Sequence, residues 1–504
     1  MFTLSSLPVP RLWLPEADSS RADFNQGQGH RCSTLNGHIT LRHSIAASLG
    51  TADPTGVMFK HGDVSQRFAP MADQTLSPIL WQNADRTITL IDIPRSVAAA
   101  QGTTEYPCHD EIASTEAIGA PYASNEPNSG RAKRALAGQA VDCELHREYE
   151  ALLGQALVQV RSLHSGPWHL PRYDLERSQH TGKKRKLSAG QDSATPLLDP
   201  TAGVLEDSGS RLTSPDAVLS AISKTGLISF DGMPIDDTDM YTFSKAGEEN
   251  HFSLLTVHSP TAEPDIIFRI PLKSSFRMGD CANLTAFHAA IRAQAEHLDT
   301  RRKFDLILLD PPWPNRSVKR THKTADSTYA IASFLTDVYD LVMGMDLDML
   351  MEADCLVGIW ITNKAQVREL VLGEDGIFAC WGVELAEEWI WLKTTAGGEP
   401  VTPVDAVWRK PYEVLLLGRR RVSYEAAESA QTEDEIVRRV ILGVPDVHSR
   451  KPCLKDLIEP FMLDAANHRA LEVFARHLVA GWWSVGDQCI KYNWDGHWIP
   501  GPDD

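Results

Sequence analysis

An acid, two prolines and a tryptophan end an apolar run in the stretch KFDLILLDPPWPNRSVKR, residues 303–320. Because prolines lack an N–H group and have a restricted φ, we expect a stiff turn whose backbone carbonyls stay available as acceptors. The carboxylate of Asp310 and a carbonyl of Pro311 or Pro312 can together accept both hydrogens of an exocyclic amino group. The indole of Trp313 can stack on the ring that carries this group. These residue types therefore indicate an amino-bearing base, such as adenine or cytosine, as the ligand.

The same four residues could support methyl transfer. The amino group of adenine is a poor nucleophile because its lone pair is delocalised into the ring. Two acceptors that draw its hydrogens out of the ring plane favour an sp³-like nitrogen, and an electrophilic methyl group held in line would complete the reaction. Such catalysis consists mainly of positioning and electrostatics. The alternative is a strand-ending turn with a core tryptophan, and the four residues alone leave both interpretations open.

Strands and helices alternate around this turn, which predicts an α/β domain with a largely parallel sheet. FDLILLD (304–310) is a continuous apolar run, as expected for a strand covered on both faces. Ligands of open α/β sheets bind beyond the carboxyl ends of the strands, so Asp310 is expected to face a crevice. Further strands are predicted in HFSLLTVHS, PDIIFRIPL, CLVGIWIT, VELAEEWIWLK, YEVLLLGRR and ALEVFARHL, and helices in TYAIASFLTDVYDLV, NKAQVRELVL and KPCLKDLIEPFM.

The chain before this domain divides into two regions. Residues 1–135 are rich in small and polar residues, with one strand-like run at 86–93, and we expect a poorly defined, partly disordered region of short strands and linker. Residues 136–264 are expected to form a helical and β-containing accessory region, with an amphipathic helix over 140–164 and a disordered basic linker at about 174–215. The KKRK run in this linker is either a solvated segment or a nuclear-import signal.

Composition restricts the class of protein. A chain of 504 residues is too long for one ordinary core and suggests two or three structural units. No apolar run is long enough to predict a membrane span, and the N-terminus does not have the pattern of a secretory signal. The eight cysteines are scattered without metal-ligand spacing, so we expect free thiols in a reducing compartment and no metal. The net charge of −18 argues against a generally basic nucleic-acid coat but allows a local basic groove.

Seven segments in order resemble the adenine-N6 methyltransferases of the MT-A seventy family, and within it the branch called methyltransferase-like protein four. They are PLKSSFRMGD, FDLILLDPPWPNRSVKR, WITN, EEWIWLK, RKPYEVLLLGR, HSRKP and LEVFARHLVAGWWSVGDQ. The resemblance covers about residues 265–497 and implies a Rossmann-like, permuted (beta-class) S-adenosylmethionine-dependent methyltransferase domain. In this permuted order the catalytic strand precedes LEVFA, the strand that carries the principal cofactor motif.

The resemblance also implies roles for individual residues. Asp310, Pro311, Pro312 and Trp313 match the catalytic motif, and Asp310 could also steady the cofactor. The implied cofactor contacts are Asp280, Cys281, Lys451, Arg476, His477, Leu478, Asp487 and Gln488. Asp487 departs from the family's usual asparagine, although a carboxylate can still accept from both ribose hydroxyls. The expected substrate contacts are Asn315, Ser317, Lys319, Arg320, Asn363, Arg409 and Lys410. For these residues the alternative is a charged surface loop or edge.

Three functions are compatible with this pattern. The leading expectation is an N6-adenine methyltransferase that uses S-adenosyl-L-methionine on nuclear RNA, with U-two snRNA at a 2′-O-methyladenosine as the target that the branch implies. The runner-up is the same chemistry on adenine in DNA, since the side chains that would read the 2′-oxygen cannot be placed from the sequence. A non-catalytic RNA-binding scaffold is disfavoured because Asp310 and Trp313 are both present. We expect a monomer that binds nucleic acid, no membrane, and a nuclear location, with the cytoplasm as a further possibility.

Overall fold

The computed structural model describes residues 77–123, 130, 143–173, 215–225, 227–230, 233–234, 241–245, 252–258, 265–282, 284–314, 334–406, 410–420, 436–447, 450–464 and 467–501. All of these residues lie in one compact unit, Pro70–Asp504. The basic run KKRK and the predicted start of the helix in TYAIASFLTDVYDLV lie outside the described residues.

The strands in chain order are β1 (Ile79–Gln82), β2 (Ile88–Ile91), β3 (Glu111–Ile112), β4 (Leu227–Phe230), β5 (Met233–Pro234), β6 (Tyr241–Lys245), β7 (Phe252–Val257), β8 (Ile266–Pro271), β9 (Ser275–Met278), β10 (Phe304–Leu309), β11 (Met351–Ile361), β12 (Val383–Lys393), β13 (Tyr412–Arg420), β14 (Val437–Gly443), β15 (Ala470–Val473), β16 (Trp483–Gly486) and β17 (Trp498–Ile499). The helices are α1 (Ile93–Ala99), α2 (Cys143–Leu163), α3 (Pro215–Thr225), α4 (Thr285–Leu298), α5 (Leu335–Met343), α6 (Ala365–Leu372), α7 (Ile377–Trp381) and α8 (Lys455–Ile458). Among the described helices, none combines the length and the apolar character needed to cross a membrane.

One large mixed sheet runs in the order β1-β2-β14-β12-β13-β11-β10-β15-β16-β9-β4-β5. From β11 through β10, β15 and β16 to β9 every neighbouring pair is parallel, whereas β13 lies antiparallel between β11 and β12. β10 lies beside β15 although β15 comes much later in the chain, which confirms the predicted permuted, Rossmann-like order. The carboxyl ends of β10, β11 and β15 consequently meet at one edge of the sheet.

The centre of the sheet is covered on both faces, as the apolar runs predict. Alternate residues of β10 enter two different core clusters, with Ile307 and Leu309 in one and Leu306 and Leu308 in the other. Gly358 of β11 lies opposite Leu308, and a Cβ at this position would be 2.6 Å from the Leu308 Cδ2 atom. Glycine therefore lets the two central strands approach.

The sheet crosses the predicted regional boundaries at 135/136 and 264/265. β2 pairs in parallel with β14, so that Leu90 lies opposite Leu442, and β4 pairs with β9 on the far side. The run at 86–93 is a strand only over β2. Asp92 then caps α1 by accepting from the Arg95 N–H at 2.9 Å, with Pro94 in the first turn.

Two predicted helices differ in how well they match. The amphipathic helix predicted over 140–164 is α2, whose buried face includes Tyr149, Leu153 and Val160. The helix predicted in KPCLKDLIEPFM is shorter, since α8 covers only Lys455–Ile458 and a 3₁₀ turn follows at Glu459–Phe461. Pro460 has no N–H to donate and restricts the backbone, which is consistent with this early end.

Candidate active site

Asp310 follows β10 at the carboxyl edge of the sheet. Its N–H donates to the Val473 carbonyl of β15 at 3.4 Å, and its side chain is 27% exposed. The carboxylate therefore faces an opening and is not buried in the core, as the position at a strand end predicts.

The turn after Asp310 is tied to itself and to the end of β11. The Trp313 N–H donates to the Pro311 carbonyl at 2.8 Å, and the indole Nε1 donates to the Trp360 carbonyl at 2.7 Å. The Lys364 ammonium donates to the Pro314 carbonyl at 2.6 Å. These three bonds make the turn stiff, and they join it to the neighbouring strand.

Two details of this turn differ from the sequence expectation. The Pro311 carbonyl already accepts one hydrogen bond, so it is not a wholly free acceptor. Trp313 is only 8% exposed and belongs to a core cluster, because its ring packs under the turn and its N–H is bonded. In this conformation Trp313 supports the turn, and its role as a stacking surface for a base stays a prediction.

A chain of alternating charges leads away from Asp310. The Lys451 ammonium lies 3.2 Å from Asp310 Oδ1 and 2.7 Å from Glu413 Oε2, and the Lys393 ammonium lies 2.5 Å from Glu413 Oε1. Lys393 and Glu413 meet because β12 ends where the antiparallel β13 begins. Lys451 also lies over the Trp360 ring, 5.3 Å from its centroid. These contacts fix the position of the Lys451 ammonium group, which contacts Asp310.

The alternating carboxylates and ammonium groups stabilise one another's charged forms. Burial alone would raise the pKa of Glu413, but the ammonium groups of Lys393 and Lys451 outweigh it and hold that pKa well below its ordinary value. Burial alone would lower the pKa of Lys451, but the carboxylates of Asp310 and Glu413 raise it. Both groups are therefore charged at neutral pH. Sequence reasoning missed Glu413, although an acid at the start of the apolar run YEVLLLGRR is a usable signal.

A pocket lies beside Asp310 at the carboxyl edge of the sheet. Four predicted residues line it, namely Asp310, Lys451, Arg476 and His477. Its other lining residues were not predicted as functional and include Arg450, Glu472, Phe474 and Tyr492.

Two residues that sequence reasoning missed shape the tip of β15. Burial, and then the negative charge of Asp310, raise the pKa of Glu472 to about 8. Phe474 has a left-handed backbone with a φ of 62°, a conformation that costs a non-glycine residue about 1–3 kcal/mol and is often found at functional sites. This tip turns sharply without the glycines of a dinucleotide-binding loop.

His477 provides a test of whether the cavity fits a polar ligand. Its ring is 7% exposed, and its Nε2 has no hydrogen-bond partner among the described residues. Burial, and then the charge of Arg450, lower the pKa of His477 to about 4, so the ring is neutral at physiological pH. A buried polar atom without a partner is rare and points to a group that completes the bond. The residues present thus fit a polar cofactor.

The remaining predicted cofactor residues are gathered at the ends of β9 and β16. These strands pair in parallel, with Met278 opposite Gly486, so that Asp280 and Asp487 follow at the same edge. The Asp280 carboxylate is exposed and accepts from the Ala282 N–H at 2.9 Å. Burial, and then the charge of Asp487, raise the pKa of the Cys281 thiol to about 12. Gln488 follows Asp487, whereas Leu478 is buried, with its N–H bonded to the Asn493 side chain at 2.8 Å.

The predicted substrate residues are only partly described. The Asn363 amide donates to the Tyr412 carbonyl at 2.6 Å, and the Lys410 ammonium lies 2.9 Å from Glu150 Oε1 on α2. Both side chains thus have structural partners, and their contacts with substrate stay predictions. Asn315, Ser317, Lys319, Arg320 and Arg409 lie outside the described residues.

Comparison with known proteins agrees with this site. The family model described as MT-A70 matches residues 304–488. The N6-methyladenosine RNA methyltransferase MTA1 of Cryphonectria parasitica is 38% identical over 241 residues, which are 48% of this chain and 67% of that protein. The protein of the same name from Pyricularia oryzae is 29% identical over 439 residues, 83% of this chain and 96% of its own length.

A human relative extends the comparison to the branch that the motifs resemble. The N(6)-adenine-specific methyltransferase METTL4 of Homo sapiens is 32% identical over 231 residues, 45% of this chain and 43% of that protein. The segment that the family model matches, residues 304–488, contains Asp310 at its strand end and the charged residues Glu413 and Lys451. The chain therefore belongs to the MT-A70 family of N6-adenine methyltransferases.

Proposed function

We propose that this chain transfers the methyl group of S-adenosyl-L-methionine to the N6 atom of adenine in nuclear RNA. The observation that carries the proposal is Asp310, which is partly exposed at the sheet edge, held by Lys451 and part of a pocket that Arg476 and His477 also line. The target that the branch implies is a 2′-O-methyladenosine of U-two snRNA.

Asp310 and the proline turn are proposed to orient the amine. The Asp310 carboxylate accepts one N6 hydrogen, and a carbonyl of the Pro311–Pro312 turn accepts the other. The bonds from Trp313 and Lys364 hold this turn to β11, so the acceptors are in place before the base arrives. As the N6–methyl bond would form, the bond from sulfur to the methyl group would break and leave S-adenosylhomocysteine. No strong base is needed, because the amine proton becomes acidic only after the methyl group has been added and can then leave to water through the opening beside Asp310.

The cofactor residues divide between the two ends of the ligand. When bound, S-adenosyl-L-methionine supplies the electrophilic methyl group. Asp280 and Cys281 are proposed to hold the adenine end. Arg476, Asp487 and Gln488 are proposed to contact the ribose, with Leu478 beside them. Lys451 is proposed to lie toward the amino-acid end, and His477, beside Arg476, lines the same pocket. This arrangement would direct the methyl group toward the acceptors of the catalytic turn.

RNA is the preferred substrate in this proposal. The two proteins named MTA1 are RNA methyltransferases by name, and one of them aligns with 83% of this chain. A target base held within a helix must turn out of its stack to reach Asp310. The basic loop with Asn315, Ser317, Lys319 and Arg320, together with Asn363, Arg409 and Lys410, is proposed to contact the sugar and phosphates.

The test compares substrates on the same protein. A U-two snRNA oligonucleotide with a 2′-O-methyladenosine, the same oligonucleotide without that methyl group, and a DNA duplex are each incubated with S-adenosyl-L-methionine. N6-methylated adenosine is then measured by mass spectrometry. We expect the 2′-O-methylated RNA to react fastest. Faster reaction of the DNA would overturn the RNA assignment in favour of DNA adenine.

A binding measurement separates the enzyme from a scaffold. Isothermal titration with S-adenosyl-L-methionine is expected to detect binding to the full chain, whereas no binding and no product would favour a non-catalytic RNA-binding protein. Light scattering of the same sample tests the proposed monomer. The nuclear location rests on KKRK (183–186), so replacing these four residues with alanine is expected to move a fluorescently tagged chain to the cytoplasm.

A further inference from the structure

Arg450 is a buried arginine on the wall of the cavity, next to Lys451 in the chain. The residue is 2% exposed. Its Nη1 donates to the Ala113 carbonyl at 3.0 Å and to the Asp446 carboxylate. Its guanidinium carbon lies 4.4 Å from the centroid of the Tyr492 ring. These contacts fix the plane of the guanidinium group and use one of its three nitrogens.

The other two nitrogens of Arg450 make no hydrogen bond within the described part of the chain. Nε and Nη2 are both buried and have no hydrogen-bond partner among the described residues. Together they form one edge of the guanidinium group, and two parallel N–H groups on such an edge match the two oxygens of a carboxylate. Leaving them unpaired in a buried site is costly, so a missing partner with two acceptor oxygens is indicated.

His477 lines the same cavity and has the same deficit. Its Nε2 is buried without a hydrogen-bond partner in the described part of the chain. Burial, and then the positive charge of Arg450, lower the pKa of its ring. Two residues that line this pocket therefore contribute three buried nitrogens that have no hydrogen-bond partner among the described residues. Lys451 differs, because its ammonium already lies between the carboxylates of Asp310 and Glu413.

We propose that Arg450, assisted by His477, binds the carboxylate at the amino-acid end of the methyl donor through Nε and Nη2. The inference rests on the proposed use of S-adenosyl-L-methionine and assigns its carboxylate to a residue outside the family-based expectation. Lys451, which the family resemblance also assigns to the cofactor, stays in contact with Asp310. Arg450 is already paired with Asp446 through Nη1, and its Nε–Nη2 edge is the part assigned to the donor, so donor binding leaves the ion pair of Lys451 and Asp310 intact.

A buried water is the competing explanation for the unused nitrogens, since water often fills such sites. The two explanations differ in what the site discriminates. A carboxylate site distinguishes S-adenosylhomocysteine, which has the amino-acid end, from 5′-methylthioadenosine, which lacks it. A water site supplies no such preference through Arg450.

The experiment measures the Kd of both ligands by isothermal titration on the full chain and takes their ratio. Arg450→Lys keeps the positive charge near Asp446 but removes the Nε–Nη2 edge. We expect this variant to bind S-adenosylhomocysteine at least about tenfold more weakly, with little change for 5′-methylthioadenosine. An unchanged ratio in a folded Arg450→Lys variant overturns the inference.

Two further variants keep the outcome decisive. Lys451→Met is expected to reduce turnover while retaining the wild-type ligand ratio, and loss of the ratio there but not in Arg450→Lys would return the carboxylate to Lys451. His477→Leu fills the same space and is expected to reduce the ratio by a smaller factor. Should Arg450→Lys not fold, an unchanged ratio in His477→Leu overturns the inference. If the wild type binds neither ligand, the proposed use of the donor fails instead.

Discussion

The two sides of the sheet edge differ in how their polar groups are satisfied. On the side of β11, β12 and β13, the ammonium groups of Lys451 and Lys393 alternate with the carboxylates of Asp310 and Glu413 at 2.5–3.2 Å. On the side of β15, Arg450 and His477 contribute buried nitrogens that lack partners among the described residues. The first side is preorganised without a ligand, whereas the second is completed by one.

The largest expected effect is on stability, from replacing Trp313, which packs beneath the catalytic turn. Trp313→Ala removes a ring that is 8% exposed and should lower the free energy of unfolding by about 3–5 kcal/mol. Trp313→Phe keeps most of the packing, loses the bond to the Trp360 carbonyl and should cost about 1 kcal/mol or somewhat more. Urea denaturation measures both. A stable Trp313→Ala variant with weakened RNA binding would instead identify the indole as a surface for the base.

Removing the charge of the catalytic acid should come next. Asp310→Asn is expected to lower kcat by about 100- to 1,000-fold with little change in folding, because the side chain faces the opening and its negative charge stabilises the positive charge that develops on N6 in the transition state. Single-turnover methylation of the RNA oligonucleotide gives the rate. Asp354→Asn, an exposed aspartate on the neighbouring β11, serves as the control and should be neutral. Near-normal turnover by Asp310→Asn would refute the proposed role.

The second carboxylate of the charge chain should have a smaller effect. Glu413→Gln leaves Lys451 with Asp310 alone and should lower kcat by about tenfold. Because Asp310 and Glu413 together raise the pKa of Lys451 against its burial, loss of one charge should move the alkaline limb of the pH–rate profile to lower pH. A profile that coincides with that of the wild type would show that deprotonation of Lys451 does not set the alkaline limb.

The smallest effect is expected at the tip of β15. Burial and Asp310 raise the pKa of Glu472 from 4.5 to about 8, so the folded protein binds a proton that the unfolded chain releases between these values. This contribution to stability is complete below about pH 4.5 and is lost as the pH rises through about 8. Glu472→Gln should flatten this part of the curve of urea midpoint against pH. Parallel curves for variant and wild type would place Glu472 in a more polar setting.

Sequence patterns located the catalytic corner because its signals are local. The bounds of β12 and β13 match the predicted runs, and the strand before Asp310 was recognisable as a continuous apolar segment. The same patterns could not show that β2 pairs with β14, because a strand's partner across more than 300 residues depends on which edge the folded sheet leaves open. Periodicity likewise assigns Trp313 to a turn but does not show which side of that turn it packs against.

The residues of the site also divide into those that local patterns predict and those that only the folded structure identifies. Family motifs led to Lys451 and His477, but Glu413 and Arg450 acquire their meaning only from atoms that the fold brings together. A carboxylate that opens a strand and an arginine in HSRKP have no local pattern that separates them from ordinary surface charges. Distances and unpaired nitrogens supply that information.

The attachment of β2 to β14 and of β4 to β9 has a practical consequence for anyone who would shorten the protein. A fragment begun at residue 265 retains every motif of the methyltransferase but strips a neighbour from each of those two strands. The unpaired N–H and C=O groups of these new edge strands would favour strand pairing between copies, and hence aggregation. The segment that carries the catalytic motifs is thus shorter than the segment expected to stay soluble without aggregating. The accessory strands protect the edges of the catalytic sheet.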